Sequence, residues 1–224
     1  ETNWCMLDTA GFQRGAGGPP VDVLNAGQEN GALWLPAECD VSIRPGWFYH
    51  AEEDDKVKTP DQLWDIYLRS VGRGANLILN VPPDRRGRIH PNDSLALVRF
   101  GEKIRYAFID NLALGTHAAR YLTDGDRETF EVLDFGPSGK GYELDLGTKR
   151  TFSTIVLREA IHEGQHVRAF KLEVRTDKGW REIARSNTIG ARRILTFPTV
   201  TSQKIRITVL DSRQAPKLSE VEVY

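Results

Sequence analysis

Apolar positions follow one rhythm up to about Asn111 and another beyond Gly115. In the first stretch, Thr59-Pro60-Asp61-Gln62 predicts a helix start: Thr as N-cap, Pro at the first helical position and Gln reaching back to close a capping box. Leu63, Ile66, Tyr67 and Ser70/Val71 then share one face, and Gly72 and Gly74 stop the helix. Asn76 to Val81 is apolar without alternation, as expected of a parallel strand covered on both sides, and Pro82-Pro83 closes it. A second helix is predicted from Pro91-Asn92-Asp93, carrying Leu95, Val98, Ile104 and Phe108 at roughly helical spacing. Helix followed by buried strand is one repeat of a (β/α) barrel.

Beyond Gly115 the period falls to two. Tyr142 to Leu146, Phe170 to Val174 and Ile205 to Val209 alternate apolar and polar residues, so each buries one face and wets the other. With Thr154 to Leu157, Trp180 to Ala184, Ile194 to Phe197 and Val221 to Tyr224, about seven or eight strands are predicted, the pattern of an antiparallel β-sandwich or jelly roll. The expected division is therefore residues 1–111, α/β, and residues 112–224, all-β. Gly15 to Pro20 reads as a flexible surface loop.

Composition narrows the partners. Among 224 residues, 30 basic and 31 acidic side chains leave a formal charge of -1, so no electrostatic footprint for nucleic acid or an anionic membrane is present. No apolar run is long enough to span a bilayer, and neutral ligands are favoured. Cys5 and Cys39 lie in no metal-binding spacing; they could pair, but two cysteines define no disulfide framework and buried free thiols are the favoured reading. The chain opens at Glu1 without an initiator Met, which reads as a processed chain or a fragment.

Three stretches carry a family resemblance. Leu35 to His50, Ser70 to Gly87, and Thr151 to Tyr224 with its Glu159-Ala160-Ile161, Thr188-Ile189-Gly190 and Asp211-Ser212-Arg213 landmarks resemble, in order, segments of family 29 α-L-fucosidases. The resemblance implies the end of a catalytic TIM-like barrel followed by a galactose-binding-like β-sandwich, and retaining hydrolysis of terminal α-L-fucose, with α1,3/4 linkages suggested by the subgroup. It implies a secreted or periplasmic protein, a fucosylated oligosaccharide or glycoprotein glycan as partner, and no required cofactor. Retention needs two carboxyl groups about 5 Å apart. The family's Trp-Phe-Asp-Gly-Ala-like nucleophile motif is absent, and Glu1-Thr2-Asn3-Trp4 is similar to the tail of a stretch that follows the acid/base. Both catalytic carboxylates are thus expected upstream, and the chain alone is expected to be inactive. Residues 1–111 are expected to need the missing N-terminal part of the barrel, because open parallel strands leave unpaired edges.

The candidate site residues follow from the same alignment of segments. Trp47 is expected to form the apolar wall against the fucose methyl, or else to be a core tryptophan; the Arg44-Pro45-Gly46 turn favours the wall. His50 is a hydroxyl partner or rim residue, Asn80 a polar contact where the last strand ends, and Trp34 a wall for the sugar bearing the fucose. Glu38 and Asp40 point to one side of an extended segment and are given a subsite or orienting role, with Arg44 as ion partner and Glu38 as a secondary acid/base candidate. In the sandwich, Asp124, Asp126 and Thr129, completed by Glu220 or Glu222, resemble a calcium loop, though an Asp-Gly-Asp turn is also a plain surface turn. Trp180, Arg192 and Arg193 are the sugar-binding candidates if the module binds glycans, with Trp180 otherwise packed in the sandwich, and His162 with His166 is a weak zinc pair lacking a third ligand. The alternative reading is a non-catalytic carbohydrate-binding or structural sandwich carrying a barrel remnant.

Overall fold

The computed structural model describes residues 4–8, 20–116, 121–136 and 139–224. Two expectations, on residues 1–3 and on the Gly15 to Pro19 loop, lie outside them. The N-terminal half contains a small antiparallel pair, β1 (Met6–Leu7) with β2 (Leu33–Trp34), and the short helix α1 (Val21–Ala26). Its centre is a parallel pair, β3 (Glu38–Ser42) and β4 (Asn76–Asn80), running in register from Glu38 opposite Asn76 to Ser42 opposite Asn80. Helices α2 (Pro60–Arg69) and α3 (Pro91–Ala107) cover one face of it.

Local sequence explains the start of α2. Thr59 Oγ1 accepts from the Gln62 amide at 3.2 Å and Gln62 Oε1 accepts from the Thr59 amide at 2.9 Å, the reciprocal bonds of a capping box. Gly74, at φ 85°, ends the short 3-10 turn Val71–Arg73, a left-handed conformation that glycine adopts without a Cβ penalty. Ile43, Leu63, Ala96 and Phe100 form the buried centre, with Tyr67, Leu79 and Ile104 packed against it.

Two expectations are corrected here. The buried face of α3 is Ala96, Phe100 and Ile104, spaced by four; Leu95 and Val98 are exposed. β4 is covered on one side only, and Ile78 remains 47% exposed. Its apolar pattern asks for a second packing layer, and none of the described elements of this chain supplies one.

The C-terminal half is a six-stranded antiparallel sheet in the order β5-β10-β6-β9-β7-β8, consistent with a β-sandwich. The strands are β5 (Glu131–Val132), β6 (Tyr142–Glu159), β7 (Val167–Thr176), β8 (Gly179–Asn187), β9 (Arg193–Ser212) and β10 (Lys217–Val223). The seven segments predicted from alternation thus merge into five of these strands. Tyr142 to Leu146 and Thr154 to Leu157 are two ends of β6; Ile194 to Phe197 and Ile205 to Val209 are two ends of β9. The pairing of β6 with β9 shifts register between Asp145 and Arg150 and again between Phe152 and Thr154, so the long strands change course without ending. Their inward residues, including Leu144, Ile155, Leu157, Ile205 and Ile207, join Phe170 and Leu172 in one core.

Side chains tie the halves together. The Cys5 amide donates to Gln165 Oε1 at 3.1 Å, Arg168 Nε donates to Glu29 Oε1 at 2.6 Å, and Phe108 meets the Tyr224 ring edge-on at 5.1 Å. Cys5 is buried, as expected, but Cys39 is only half-buried; both are free thiols.

Candidate functional site

The C-terminal ends of β3 and β4 hold one rigid turn. Asn80 Nδ2 donates to Ser42 Oγ at 3.1 Å and to the Trp47 carbonyl at 2.9 Å, while Ser42 Oγ donates to the Gly46 carbonyl at 2.6 Å. Lys58 Nζ donates to the Ser42 carbonyl at 2.7 Å. Adjacent parallel strands end level with each other, so these bonds fix the loop that leaves them. The turn presents Trp47, 51% exposed, and Phe48, 78% exposed; the described elements of this chain do not bury the indole in a core. Exposed aromatic rings on an anchored turn can form an apolar wall. His50 follows, also exposed, with Nδ1 3.9 Å from Glu52 Oε1.

Arg44 is placed differently from the expectation. It is 0% exposed and does not pair with Glu38 or Asp40; Nε donates to Asp93 Oδ2 and Nη2 to Asp54 Oδ1, each at 3.0 Å. Nη1 donates to the His50 carbonyl at 3.3 Å, and the guanidinium lies 4.8 Å from the Tyr49 ring centroid. Burial acts to lower its pKa, but the bonds to Asp93 and Asp54 outweigh it and hold the cation. The pairing with Glu38 and Asp40 expected of Arg44 beside the substrate is therefore corrected to a buried cross-brace between the turn and the first turn of α3.

Glu38 stands apart from Trp47. It is exposed at the first position of β3, and four residues of strand at about 3.3 Å each separate it from Ser42. Glu38 and Asp40 do share one exposed side, as alternation requires, whereas Trp34 is exposed on β2 before that same N-terminal end. The structure brings together Asn80 and Trp47, with His50 on the same loop, and not Glu38 or Trp34.

Tyr49, Asp54, Asp93 and Asp84 were missed as contributors to this loop system. Asp84, on the loop after β4, is held well below the usual carboxylate range, at about 2, chiefly by its bond with Arg86. The Asp84-Arg85-Arg86-Gly87 string carried a readable turn signal; the pairing of Arg44 with Asp93, 49 residues apart, had none.

A second constellation lies at the loop between Leu122 and Phe130. Asp124 Oδ1 accepts from the Asp126 amide at 2.9 Å, and Thr129 Oγ1 donates to Asp124 Oδ2 at 2.9 Å. Glu220, 3% exposed on β10, bonds Asp124 and the Gly125 amide, yet its Oε1 is buried without a hydrogen-bond partner. Burial, aided by the Asp124 and Glu222 charges, pushes Glu220 up to about 7. Burial also opposes ionisation of Asp124, but the Asp126 amide, Thr129 and Glu220 bonds outweigh it and lower its pKa. The buried Glu220, with one orphaned oxygen, stands beside the exposed Asp124 at this loop, and the two carboxyls offer a hard cation oxygen ligands in place of the proton. Among the described residues no three His, Cys, Asp or Glu side chains come together, so backbone carbonyls would complete such a shell, and His162 and His166 gain no third ligand.

The glycan candidates on the sheet are also altered. Trp180 is half-buried, with the Arg206 and Arg175 guanidinium carbons 4.3 and 5.6 Å from its ring centroid, and Arg193 is buried beside Ser186.

Comparison with known proteins decides the family. Residues 22–106 match the family model described as Alpha-L-fucosidase, and residues 110–222 match the F5/8 type C domain. The chain belongs to the α-L-fucosidase family. Over an aligned length of 213 residues the chain is 36% identical to "Putative alpha-L-fucosidase 1" of Oryza sativa subsp. japonica, covering 88% of this chain and 41% of that protein. The crystal structure of SpGH29 superposes with a TM-score of 0.88 at 33% identity, over 99% of this chain and 50% of that one. A Ruminococcus gnavus GH29 fucosidase in complex with fucose superposes with a TM-score of 0.75 at 31% identity, over 89% of this chain and 43% of that one. The chain spans 41% and 47% of the length of the two curated relatives it matches.

Proposed function

We propose that this chain supplies one wall of the fucose pocket and the C-terminal domain of a retaining α-L-fucosidase acting on terminal, α1,3/4-linked fucose of glycans. In this reading β3 and β4 are the last strands of the catalytic barrel, residues 1–111 belong to it, and residues 112–224 form the β-sandwich. The observation that carries it is the Asn80–Trp47 bond: an aromatic turn locked onto the C-terminal ends of two parallel strands, where barrel enzymes hold substrate. No pair of carboxylates joins Trp47 there among the described residues, so the nucleophile and the acid/base are assigned to the part of the fucosidase relatives that this chain does not span. The chain alone is then inactive, its partners are that remainder and a fucosylated glycan, and the whole protein works outside the cytoplasm.

Glu38 tests the assignment. In the enzyme completed with that remainder, Glu38→Gln is expected to leave kcat within about tenfold of the parent, because the residue lies at the wrong end of β3. A loss of several orders of magnitude, rescued by azide, would make Glu38 the acid/base and remove the proposal's division of labour.

The chain also has a proposed structural calcium site at Asp124, Asp126, Thr129 and Glu220. A bound Ca²⁺ would supply positive charge to the buried Glu220 and to the exposed Asp124 beside it. Without it, Glu220 at about 7 in the fold, against 4.5 for the free group, keeps a proton that the unfolded chain releases. That contribution is fully present below 4.5 and is lost as pH rises through 7. Calcium should therefore raise the melting temperature relative to EDTA, and by more at pH 8 than at pH 5. A melting temperature indifferent to EDTA at both pH values would remove the site.

A further inference from the structure

A second cleft, unused by the fucose reading, lies where the two halves meet. It encloses about 400 Å³, with Gly74 and Asn76 from the start of β4 on one wall and Arg127, Arg158, His162 and Arg192 on the other. Arg158 is 7% exposed; its Nε donates to Glu222 Oε1 at 3.0 Å and its Nη1 to the Ala191 carbonyl at 3.2 Å. Burial is the main influence lowering its pKa; Glu222 opposes it, and the nearby Arg127 and Arg192 charges add to it. The Arg127 and Arg192 guanidinium groups are thus close enough to disfavour the charge on Arg158.

The carboxylates around them, the exposed Glu128 apart, are already engaged. Glu222 serves Arg158 and the Tyr224 hydroxyl, and the buried Glu159 accepts amide bonds from His166, Val167 and Gly190. Glu128 lines the cleft from an exposed position, and Asp124 with Glu220 belong to the loop site described above. Among the described residues neither Arg127 nor Arg192 has an ion pair, and Arg192 Nε is buried without a hydrogen-bond partner, its guanidinium over the Phe108 ring at 5.5 Å. Unmatched planar donors converging on a cleft of this size fit an oxyanion with a small body attached. Asn76 and Ser219 on the lining can serve hydroxyl groups.

We propose that this cleft binds the oxyanion of an acidic sugar, a carboxylate or sulfate group held by Arg127, Arg158 and Arg192. The site joins both halves and is separate from the Trp47 turn, so it does not depend on the fucosidase reading.

Calorimetric titration of the full chain at constant ionic strength tests it. The probes are N-acetylneuraminic acid, galactose 3-sulfate, galactose and inorganic sulfate. Both acidic sugars should bind and galactose should not; weaker binding of inorganic sulfate would mark the sugar as the source of the oxyanion, and equal binding would mark a free oxyanion. Because a hydrogen bond to a charged group contributes enough to change affinity by about tenfold or more, Arg192→Gln and Arg127→Gln should each weaken anion binding by that factor. The melting temperature of Arg127→Gln without ligand should stay at the parent value, since this side chain is exposed and makes no ion pair among the described residues, whereas Arg192→Gln also loses its contact with the Phe108 ring. Equal anion affinity in parent and variants, or binding of galactose as tight as that of its sulfate, would overturn the proposal.

Discussion

Replacing Arg44 by Met should destabilise the protein by about 3–5 kcal/mol, the range for removing one partner of a buried ion pair. Arg44 and Asp93 are both fully buried, so the substitution strands the Asp93 carboxylate, whose Oδ1 already lacks a hydrogen-bond partner. It also releases Asp54 and the His50 carbonyl. Urea unfolding of parent and variant gives the difference directly. Adding an apolar residue of similar volume at position 93 should recover part of the loss, because the stranded charge rather than the missing attraction causes most of it. Arg44→Lys should recover little, since an ammonium cannot span Asp93 and Asp54 as a planar fork does. A loss below about 1 kcal/mol in Arg44→Met would place this pair with the weak surface ion pairs and contradict the brace.

Trp47→Ala should cost the completed enzyme at least about 2 kcal/mol of transition-state binding, the scale of a buried aromatic anchor, or roughly 30-fold in kcat/KM. In the chain by itself the same substitution should barely change stability, because the ring is half exposed and its backbone, not its side chain, is held by Asn80. Asn80→Ala separates position from contact. It removes the bonds to Ser42 Oγ and to the Trp47 carbonyl but leaves the indole present. Kinetics on an aryl α-L-fucoside should then fall by a smaller factor, with Phe at position 47 recovering most of the Trp47→Ala loss. Unchanged kcat/KM in Trp47→Ala would remove the indole from the pocket.

Local chemistry was the legible part of this fold. The capping box at Thr59 and Gln62 and the parallel character of Asn76 to Asn80 could be read because each depends on neighbours in sequence. The buried face of α3 could not. Leu95 and Val98 carry the stronger hydrophobic signal, but only packing on α2 selects Ala96 and Phe100. Alternation found the inward residues of the sheet yet divided β6 and β9 in two, because paired strands that shift register, in β6 at the positive-φ Gly147, resemble two strands and a loop each. The sequence places Trp47 after a turn and Asn80 at a strand end, and the structure joins them by a hydrogen bond. The partner of Arg44 was not, because Glu38 and Asp40 are nearer in sequence while Asp93 is brought in by α3.

The central claim is a division of labour: this chain shapes the pocket, and the catalytic carboxylates belong to the rest of the enzyme. Fucose release from an aryl α-L-fucoside, measured for the 224-residue chain alone and for the chain joined to the remainder of the fucosidase barrel, tests it most directly. The account predicts no release above the uncatalysed rate by the chain alone and turnover, with retained anomeric configuration, by the joined protein. Turnover by the chain alone would contradict it.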